Sequence, residues 1–479
     1  MQQLIHYIDG KFQAPLSATA VYPVINPANE TCVAEIRLGG ADDADLAVRA
    51  ARRAFDGYSM LKLSERVDLL KALREVYMQR YEEMVDAIIT EMGAPRTLSH
   101  DSQAECGPGH ISATLEAGEQ IDWEHKSGGL GLVVREAVGV CGLITPWNWP
   151  MNQVVAKSAP ALLAGCTVIL KPSEQSPLSA QLWAEFVHAA GYPAGVFNMV
   201  HGTGPVVGHT LSVHPEVDLM SFTGSTRAGI MVAKDAADTV KRVHQELGGK
   251  SANIVFADAD LEKAVKRGVV HCFSNTGQSC NAPTRMLVEA SVYDKAVQIA
   301  VAAGQNVLVD DPMKAGHHIG PLASKMQFEK VQGMIQKGID EGAQLVLGGV
   351  GRPAGLTQGY YVKPTIFAGV NNHMAIAREE IFGPVLVMIP FKDYEDAIAI
   401  ANDTPYGLAA YVQTQDWDKA RRVARRLRAG SVYLNGIGQD YCSPFGGFKQ
   451  SGNGREWGKH GLLEFLELKS INGFYPPEK

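Results

Sequence analysis

Cys280 has the surroundings that best suit covalent chemistry. It lies in the segment FSNTGQSCNAP, which is rich in Gly, Ser and Asn and follows an apparent helix; the other cysteines lie in apolar runs or lack a comparable setting. A free thiol has a pKa of about 8.5, so only a few per cent of it is thiolate near neutrality. A nucleophilic cysteine in this loop therefore requires a nearby base or an electropositive pocket.

Two other segments supply groups that such a cysteine needs. Glu246 precedes a Gly-Gly turn in HQELGGKSANIV, and a carboxylate there can take a proton from the thiol or from a hydrolytic water. Asn148 lies between two tryptophans and two prolines in ITPWNWP, directly after a strand. Its amide N–H can donate to a developing oxyanion, with the backbone N–H of Cys280 as the second donor. Together these residues predict covalent catalysis through an oxyanion.

A separate pattern predicts a nucleotide site. The strand-like run VDLMSFTG leads into the helix-like run STRAGIMVAKDAAD, with Gly224 at the turn, Ser225 at the helix start and Gly229 on the first turns. Such a strand–turn–helix unit presents free backbone N–H groups and a positive dipole to an anion. It is not the GxGxxG fingerprint, and alone it is more often a helix cap without a ligand.

Lys171 and Glu174 in VILKPSE strengthen the nucleotide interpretation. They follow a strand at the carboxyl edge of a parallel sheet, where open α/β folds bind their ligands. An acidic side chain there can accept hydrogen bonds from an adenosine ribose, whereas it repels a 2′-phosphate. We therefore expect NAD to be preferred; NADP stays open because Glu174 can swing aside.

The elements that must position these residues alternate between strand and helix. Runs such as GVCGLITPW, CTVILKPSE and GVFNMVHG are apolar throughout and are separated by helical stretches, and a second series of the same kind begins at SANIVFADAD. Strands that are apolar on both faces predict parallel sheets covered by helices on both sides. The sequence thus predicts two α/β lobes that join near Gly248 and Gly249, close to Glu246.

Further segments flank these lobes. The region from about 42 to 93 is predicted to form two amphipathic helices, the first capped by Asp42 or Asp43. Apolar and β-branched residues around the glycine pair at 128–129 predict a β-hairpin, which is interpreted as an arm that pairs with another subunit. The tail LEFLELKSINGFYPPEK alternates like a strand and can pair with this arm.

The composition excludes several classes of protein. The 479 residues carry a net charge of −7 and include 46% hydrophobic and 20% charged residues, which is typical of a globular chain without a nucleic-acid-binding face. No run of about eighteen apolar residues predicts a membrane span, and no signal peptide is evident, so the cytoplasm is the expected location. Seven cysteines without a CxxC or Cys/His cluster predict neither a disulfide framework nor a bound metal.

The motifs together resemble those of the NAD(P)-dependent aldehyde dehydrogenase superfamily. ITPWNWP, LKPSE, FTGST, ELGGKSANIV, GQSC, EEIFGPV and PFGGFKQSGNGRE occur in the family order, and YIDGKF and the hairpin extend the resemblance over nearly the whole chain. It implies the α/β aldehyde dehydrogenase fold in a homodimer or homotetramer. The implied parts are a Rossmann-like cofactor domain (1–120 and 138–248), an α/β catalytic domain (249–450) and a small β oligomerisation arm and tail (121–137 and 464–479).

The resemblance assigns roles at matching positions. Cys280 is implied to be the nucleophile, Glu246 the general base and Asn148 the oxyanion donor. Lys157 and Glu456 match a pair sometimes given a proton-relay role, although an internal ion pair explains them equally well. The residues implied to bind the cofactor are Ile144, Thr145, Pro146, Trp147, Lys171, Ser173, Glu174, Gly224, Ser225, Gly229, Leu247, Gly248, Glu380 and Phe382. The residues implied to line the substrate pocket are Trp149, Ala156, Asn281, Tyr441 and Phe445.

The implied reaction is the oxidation of an aldehyde to a carboxylic acid with NAD. The Cys280 thiolate adds to the aldehyde carbon, loss of hydride from the thiohemiacetal leaves a thioester, and water activated by Glu246 hydrolyses it. Many relatives carry a phenylalanine at the position of Trp149 and a tryptophan at that of Ala156. This difference is expected to widen the pocket for an aromatic or bulky aldehyde.

Three rival functions remain. An enzyme that passes the acyl group to coenzyme A lacks the hydrolytic carboxylate, and Glu246 argues against that reaction. A non-catalytic scaffold is expected to have lost Cys280 or Asn148, and both are retained. A thiol esterase leaves the nucleotide loop without a purpose.

Overall fold

The computed structural model of this chain describes residues 2–17 and 20–476. The predicted tail at 464–479 therefore includes three residues, 477–479, that lie outside the described part. Met1 and residues 18–19 of the predicted cofactor domain also lie outside it.

Four sheets form the framework of the described part of the chain. The strands are β1 (Gln2–Leu4), β2 (His6–Ile8), β3 (Lys11–Gln13), β4 (Val21–Ile25), β5 (Cys32–Arg37), β6 (Glu124–Lys126), β7 (Leu132–Ala137), β8 (Val140–Ile144), β9 (Thr167–Lys171), β10 (Phe197–Met199), β11 (Leu219–Thr223), β12 (Arg242–Glu246), β13 (Ala252–Val255), β14 (Arg285–Glu289), β15 (Gln344–Leu347), β16 (Thr365–Ala368), β17 (Val385–Phe391), β18 (Ala409–Gln413), β19 (Ser431–Leu434), β20 (Gly452–Asn453) and β21 (Leu466–Ile471).

Helices pack around these sheets. They are α1 (Ala41–Ser59), α2 (Leu63–Gln79), α3 (Tyr81–Met92), α4 (Arg96–Leu98), α5 (Cys106–Gln120), α6 (Pro150–Ala164), α7 (Pro177–Ala189), α8 (His209–Val213), α9 (Thr226–Ala236), α10 (Leu261–Phe273), α11 (Tyr293–Gln305), α12 (Lys325–Asp340), α13 (Ala375–Arg378), α14 (Tyr394–Asn402), α15 (Trp417–Arg426) and α16 (Gly458–Leu463). Among the described residues, no helix is both long and apolar enough to cross a membrane.

The first large sheet has the strand order β20-β12-β11-β8-β9-β10-β2-β3, and the five strands from β12 to β10 are parallel. Every residue of β8, β9 and β11 is buried, which confirms the prediction of a parallel sheet covered on both faces. The carboxyl ends of β8, β9, β11 and β12 lie along one edge. The segments that carry Asn148, Lys171, Gly224 and Glu246 therefore come together there.

The second large sheet has the order β15-β16-β17-β14-β13-β18-β19 and is parallel except for β15. It begins at β13, shortly after the predicted junction at 248–249. The chain later returns to the first sheet, because β20 pairs antiparallel with β12 through Glu246 and Gly452. The predicted junction thus separates the two main series of strands, but the last family motif crosses back over it.

The arm is a three-stranded antiparallel sheet in the order β21-β7-β6. The hairpin β6–β7 pairs Lys126 with Leu132, and β21 pairs along the whole of β7, from Leu466 with Ala137 to Ile471 with Leu132. Both the predicted hairpin and the predicted pairing of the tail with it are confirmed.

The region 42–93 forms three helices, α1 to α3, so the prediction of two was wrong. The break between α2 and α3 is the single residue Arg80, whose φ of −114° and ψ of 26° leave the helical region. Leu73 and Tyr77 before the break, and Met84 and Ile88 after it, are buried in one core. The apolar pattern therefore continues across the break and gives no local sign of it.

Candidate active site

Cys280 lies in an irregular loop that follows α10. Asn275, Thr276 and Gly277 have φ values of 53°, 56° and 72°, so three successive residues adopt the left-handed conformation. At Gly277 a Cβ atom would lie 2.1 Å from the carbonyl oxygen of Gly383, so no side chain fits. The loop is thus pressed against the segment before β17, and Cys280 is left half-buried at its end.

Two cavities meet at Cys280, and both are also bordered by Gln153. The first cavity has a volume of about 640 Å³ and lies at the carboxyl edge of the first sheet. Its lining residues are Pro146, Trp147, Asn148, Gln153, Thr223, Gly224, Ser225, Leu247, Gly248, Cys280, Gln327, Lys330, Glu380 and Phe382. Most of these residues were predicted to bind the cofactor.

The start of α9 forms one end of the first cavity. Ser225 is the N-cap, and its Oγ accepts a hydrogen bond from the Ala228 N–H at 3.3 Å. Gly229 is buried against Leu247, where a Cβ atom would lie 2.5 Å from the leucine side chain. Glycine here lets the first turns of the helix approach β12, and the free N–H groups of the helix start can bind an anion.

The predicted ribose-binding pair follows β9. Lys171 Nζ donates to Glu174 Oε2 at 3.0 Å and to the carbonyl of Pro172 at 3.0 Å. Lys171 is buried while Glu174 is 29% exposed, so the carboxylate is accessible. This pair and Ser173 lie outside the lining of the first cavity, as do Ile144 and Thr145 at the end of β8.

Glu380 and Phe382 lie at the other end of the first cavity. Glu380 Oε1 accepts the backbone N–H of Gly249 at 2.9 Å, and a Cβ atom at Gly248 would lie 2.7 Å from this carboxylate. Phe382 has a φ of 64°, and its ring contacts Trp147 edge-to-face at 5.6 Å. Gln327, which the sequence reasoning missed, donates to the carbonyls of Ile381 and Phe382 at 3.2 and 2.7 Å.

Asn148 is buried and fixed at the first cavity. Its Nδ2 donates to the Gln278 carbonyl at 3.0 Å, which leaves the second N–H of the amide for another acceptor. Its backbone carbonyl accepts from Gln103 Nε2 at 3.2 Å and from Asn275 Nδ2 at 2.9 Å. These amides were not predicted; Gln103 precedes Asn148 by 45 residues, and only a family alignment could have marked it.

Glu246 ends β12 and is 2% exposed. Its carboxylate lines neither cavity, and neither oxygen has a hydrogen-bond partner among the described residues. Burial and the nearby Glu456 raise the pKa of Glu246 well above its usual range, against the opposing charges of Lys157 and Arg455. As a general base it therefore has to turn toward the thiol or reach it through water.

Lys157 and Glu456, the predicted second pair, form a buried ion pair. Lys157 Nζ contacts Glu456 Oε1 and also donates to Ser221 Oγ at 3.1 Å. Both charged side chains are almost fully shielded from solvent. The charges of this pair act on Glu246: Glu456 raises its pKa and Lys157 lowers it.

The second cavity has a volume of about 1030 Å³ and extends from Cys280 between the loops that follow α10 and β19. Its lining residues are Asp101, Ser102, Cys106, Trp149, Asn152, Gln153, His271, Ser274, Ser279, Cys280, Asn281, Gln439, Tyr441, Phe445 and Trp457. Four predicted pocket residues are among them: Trp149, Asn281, Tyr441 and Phe445. Trp149 is oriented by its Nε1–H, which donates to Ser279 Oγ at 2.8 Å.

Ala156 does not line either cavity, so its predicted place in the pocket wall is corrected. It is 3% exposed and packs in a cluster with Phe445, Trp457 and Leu408. Trp457 stacks on Phe445 with 4.6 Å between ring centroids and forms the cavity wall itself. The space left by the small residue is thus covered by an indole from elsewhere in the chain, which the sequence reasoning missed.

The Cys280 thiol is not pre-ionised in this arrangement. Burial raises its pKa, and the carboxylates of Glu380 and Glu246 raise it further. The thiol must therefore lose its proton to a base when it attacks a substrate.

Comparison with known proteins identifies the family. The model of the aldehyde dehydrogenase family matches residues 14–471. The chain is 55% identical to a 3-succinoylsemialdehyde-pyridine dehydrogenase of a Pseudomonas species, over 98% of each chain.

Solved structures agree with the sequence comparison. Aldehyde dehydrogenase C of Pseudomonas syringae, solved as a mutant in complex with NAD+ and octanal, matches with a TM-score of 0.97 and 49% identity, over 99% of this chain and 98% of that one. An aldehyde dehydrogenase of Bartonella henselae matches with a TM-score of 0.96 and 48% identity, over 98% and 99% of the two chains. The sequence, the fold and the paired cavities of the present protein agree with these matches, and the chain belongs to the aldehyde dehydrogenase family.

Proposed function

We propose that this enzyme oxidises bulky aldehydes, aromatic ones included, to carboxylic acids with NAD, and that Cys280 is the nucleophile. The observation that carries this proposal is that Cys280 borders both cavities. One cavity has the features of a nucleotide site, and the other is large enough for an aldehyde. A thiol at their junction can reach a carbonyl carbon in the second cavity while a nicotinamide occupies the first.

The first cavity fits a dinucleotide. The open helix start at Ser225 suits a pyrophosphate, and the accessible Glu174 carboxylate, which lies outside the lining of this cavity, suits the diol of the adenosine ribose. Glycine at 248 leaves room beside Glu380 that a side chain would fill. When bound, the nicotinamide accepts the hydride that leaves the substrate carbon. The acidic Glu174 favours NAD over NADP, and NAD is the cofactor seen in the relative from P. syringae.

The side chains divide the remaining chemistry between them. Cys280 gives up its proton to Glu246 as its sulfur bonds to the aldehyde carbon. The free N–H of Asn148 and the backbone N–H of Cys280 stabilise the oxyanion. After the oxidation, Glu246 releases the thiol's proton to solvent and takes a second proton from the water that attacks the thioester. The tetrahedral adduct then expels the Cys280 thiolate as the acid forms, and the proton held by Glu246 regenerates the thiol.

The second cavity supports a bulky substrate. The rings of Trp149, Tyr441, Phe445 and Trp457 form an aromatic wall, and His271 lies among its polar residues. Such a wall favours a flat or long apolar group with a polar atom. The named relatives act on a pyridine-bearing semialdehyde in one case and bind octanal in the other.

The arm supports assembly as a homodimer or homotetramer. β6 and β21 are edge strands of a small sheet whose surface residues are largely exposed, and such an edge can pair with another copy. We place the enzyme in the cytoplasm, where thiols such as that of Cys280 are kept reduced.

The test is reduced-nicotinamide formation with NAD or NADP and a panel of aliphatic and aromatic aldehydes. Wild type is compared with Cys280→Ser, and Cys442→Ser serves as a control because Cys442 is exposed and lines neither cavity. NAD-linked turnover should vanish in Cys280→Ser and persist in Cys442→Ser, with higher kcat/KM for bulky aldehydes. Activity in Cys280→Ser, or a preference for acetaldehyde or propanal, would contradict the proposal.

A further inference from the structure

A chain of buried polar groups connects the Lys157–Glu456 ion pair with Glu246. Lys157 Nζ donates to Ser221 Oγ at 3.1 Å, and Ser221 Oγ lies 3.4 Å from His244 Nδ1. His244 Nε2 in turn lies 3.7 Å from Glu246 Oε1. The parallel register of β11 and β12 produces this arrangement, because it pairs Ser221 with His244. All of these side chains are buried.

The hydrogen bond from Lys157 to Ser221 favours one tautomer of His244. A lysine ammonium can only donate, so Ser221 Oγ accepts from Lys157, and His244 Nδ1 is an acceptor within reach of the Ser221 hydroxyl hydrogen. Burial and the positive charges of Lys157 and Arg455 hold the pKa of His244 well below its usual range, so the ring is neutral. A neutral imidazole that accepts at Nδ1 carries its hydrogen on Nε2.

This Nε2–H faces the carboxylate of Glu246. His244 Nε2 has no hydrogen-bond partner among the described residues, and neither has either oxygen of Glu246. The distance of 3.7 Å exceeds an ordinary N–H···O bond by less than about 1 Å, so the two groups need to approach by less than that for the bond to form. The other charged groups that act on Glu246 are Lys157, Arg455, Glu456 and Glu464.

We propose that His244 is a positioning residue for Glu246, whose Nε2–H donates to the ionised carboxylate and holds it ready between proton transfers. The inference rests on the proposed role of Glu246 as the base. A buried carboxylate without a donor favours its protonated, inactive form. The donor at His244 opposes this effect, and the hydroxyl of Ser221 keeps the donor on the correct nitrogen.

Two substitutions of His244 distinguish the effect of its hydrogen-bond donor from the effect of its imidazole ring. His244→Gln can place amide hydrogens near the position of Nε2, whereas His244→Asn can accept from Ser221 but has no donor that reaches Glu246. The measurement is the rate of alkylation of Cys280 by iodoacetamide as a function of pH, in the full-length enzyme without nucleotide or aldehyde. It is quantified on the Cys280 peptide by mass spectrometry, and Glu246→Gln identifies the part of the profile that depends on the base.

We expect the Glu246-dependent midpoint to rise by about one pH unit in His244→Asn and to stay near the wild-type value in His244→Gln. Ser221→Ala, which removes the hydroxyl that sets the tautomer, should shift it in the same direction and provides a second test if His244→Asn does not fold. A purely structural role lowers the rate at every pH without moving the midpoint.

Unchanged midpoints in His244→Asn and Ser221→Ala, with the base-dependent part still lost in Glu246→Gln, overturn the role of His244 but leave that of Glu246 intact. If Glu246→Gln keeps the wild-type profile, both roles are overturned.

Discussion

Asn148 and Glu246 are both proposed to act at Cys280, yet their side chains are held in contrasting ways. The Asn148 segment is fixed by three hydrogen bonds, one from its amide and two to its backbone carbonyl. The Glu246 carboxylate is equally buried but has no hydrogen-bond partner among the described residues. An oxyanion donor must be aimed before charge develops, whereas a base must accept and release a proton. The difference indicates that how firmly each of these two side chains is held corresponds to its proposed role in the reaction.

The largest effect on turnover is expected when Glu246, whose carboxylate has no hydrogen-bond partner among the described residues, is replaced. Glu246→Gln should slow turnover by about 10²–10⁴-fold, because the amide cannot take the proton of the hydrolytic water. Because Glu246 is also proposed to take the thiol proton, stopped-flow measurement should show that both the first turnover of reduced nicotinamide and the steady state are slower than in wild type. In wild type, hydrolysis should fall as pH decreases through the raised pKa of Glu246, where the carboxyl becomes protonated.

Glu379→Gln is the matched control, because this neighbouring carboxylate is exposed and pairs with Lys337. Its turnover should equal that of wild type. A Glu246→Gln enzyme whose first turnover and steady-state turnover equal those of wild type contradicts the role of the base.

The next largest effect is expected for Asn148, whose segment is held by hydrogen bonds. Asn148→Ala should lower kcat by about 10²–10³-fold, because one of the two oxyanion donors is lost. Binding of NAD, followed by fluorescence quenching, should change little. Asn306→Ala removes an exposed asparagine that follows α11 and whose amide donates to the Ala302 carbonyl, and it should behave like wild type. An Asn148→Ala enzyme with normal kcat and weakened NAD binding would assign the residue to the cofactor instead.

If fixation itself matters, removing a support of Asn148 should also reduce the rate. Gln103→Ala deletes the donor to the Asn148 carbonyl and should lower kcat roughly tenfold, the equivalent of one buried hydrogen bond. Gln120→Ala, at an exposed glutamine of α5, is the control. Equal kcat values for the two variants would mean that Asn148 does not need the hydrogen bond from Gln103. The difference in hydrogen bonding between Asn148 and Glu246 would then have no consequence for the rate.

The same contrast explains what the sequence could predict. Cys280, Glu246 and Asn148 lie in short motifs whose composition is visible locally, and strands that are apolar on both faces reveal the parallel sheets. The support of Asn148 is not visible, because Asn275 is 127 residues away and its contact exists only in the folded chain.

The shape of the substrate pocket could not be predicted from the sequence either. The family resemblance marked Ala156 as a position where a bulky side chain is usual, but it could not indicate that Trp457 covers that space. Likewise the interruption between α2 and α3 is a change in the backbone conformation of Arg80. The spacing of apolar residues is the same on both sides, so it does not indicate the interruption. Local patterns thus reveal which groups are present, whereas tertiary packing decides how tightly each is held.

The smallest effect concerns a second carboxylate near the thiol, which differs from Glu246 because Gly249 fixes it with a hydrogen bond. Since Glu380 raises the pKa of Cys280, Glu380→Gln should lower that pKa and speed alkylation by iodoacetamide several-fold at neutral pH, without nucleotide. Glu379→Gln should have no effect. A fixed carboxylate acts on the thiol by its charge alone, so unchanged or slower alkylation in Glu380→Gln would mean that its charge is screened from the sulfur.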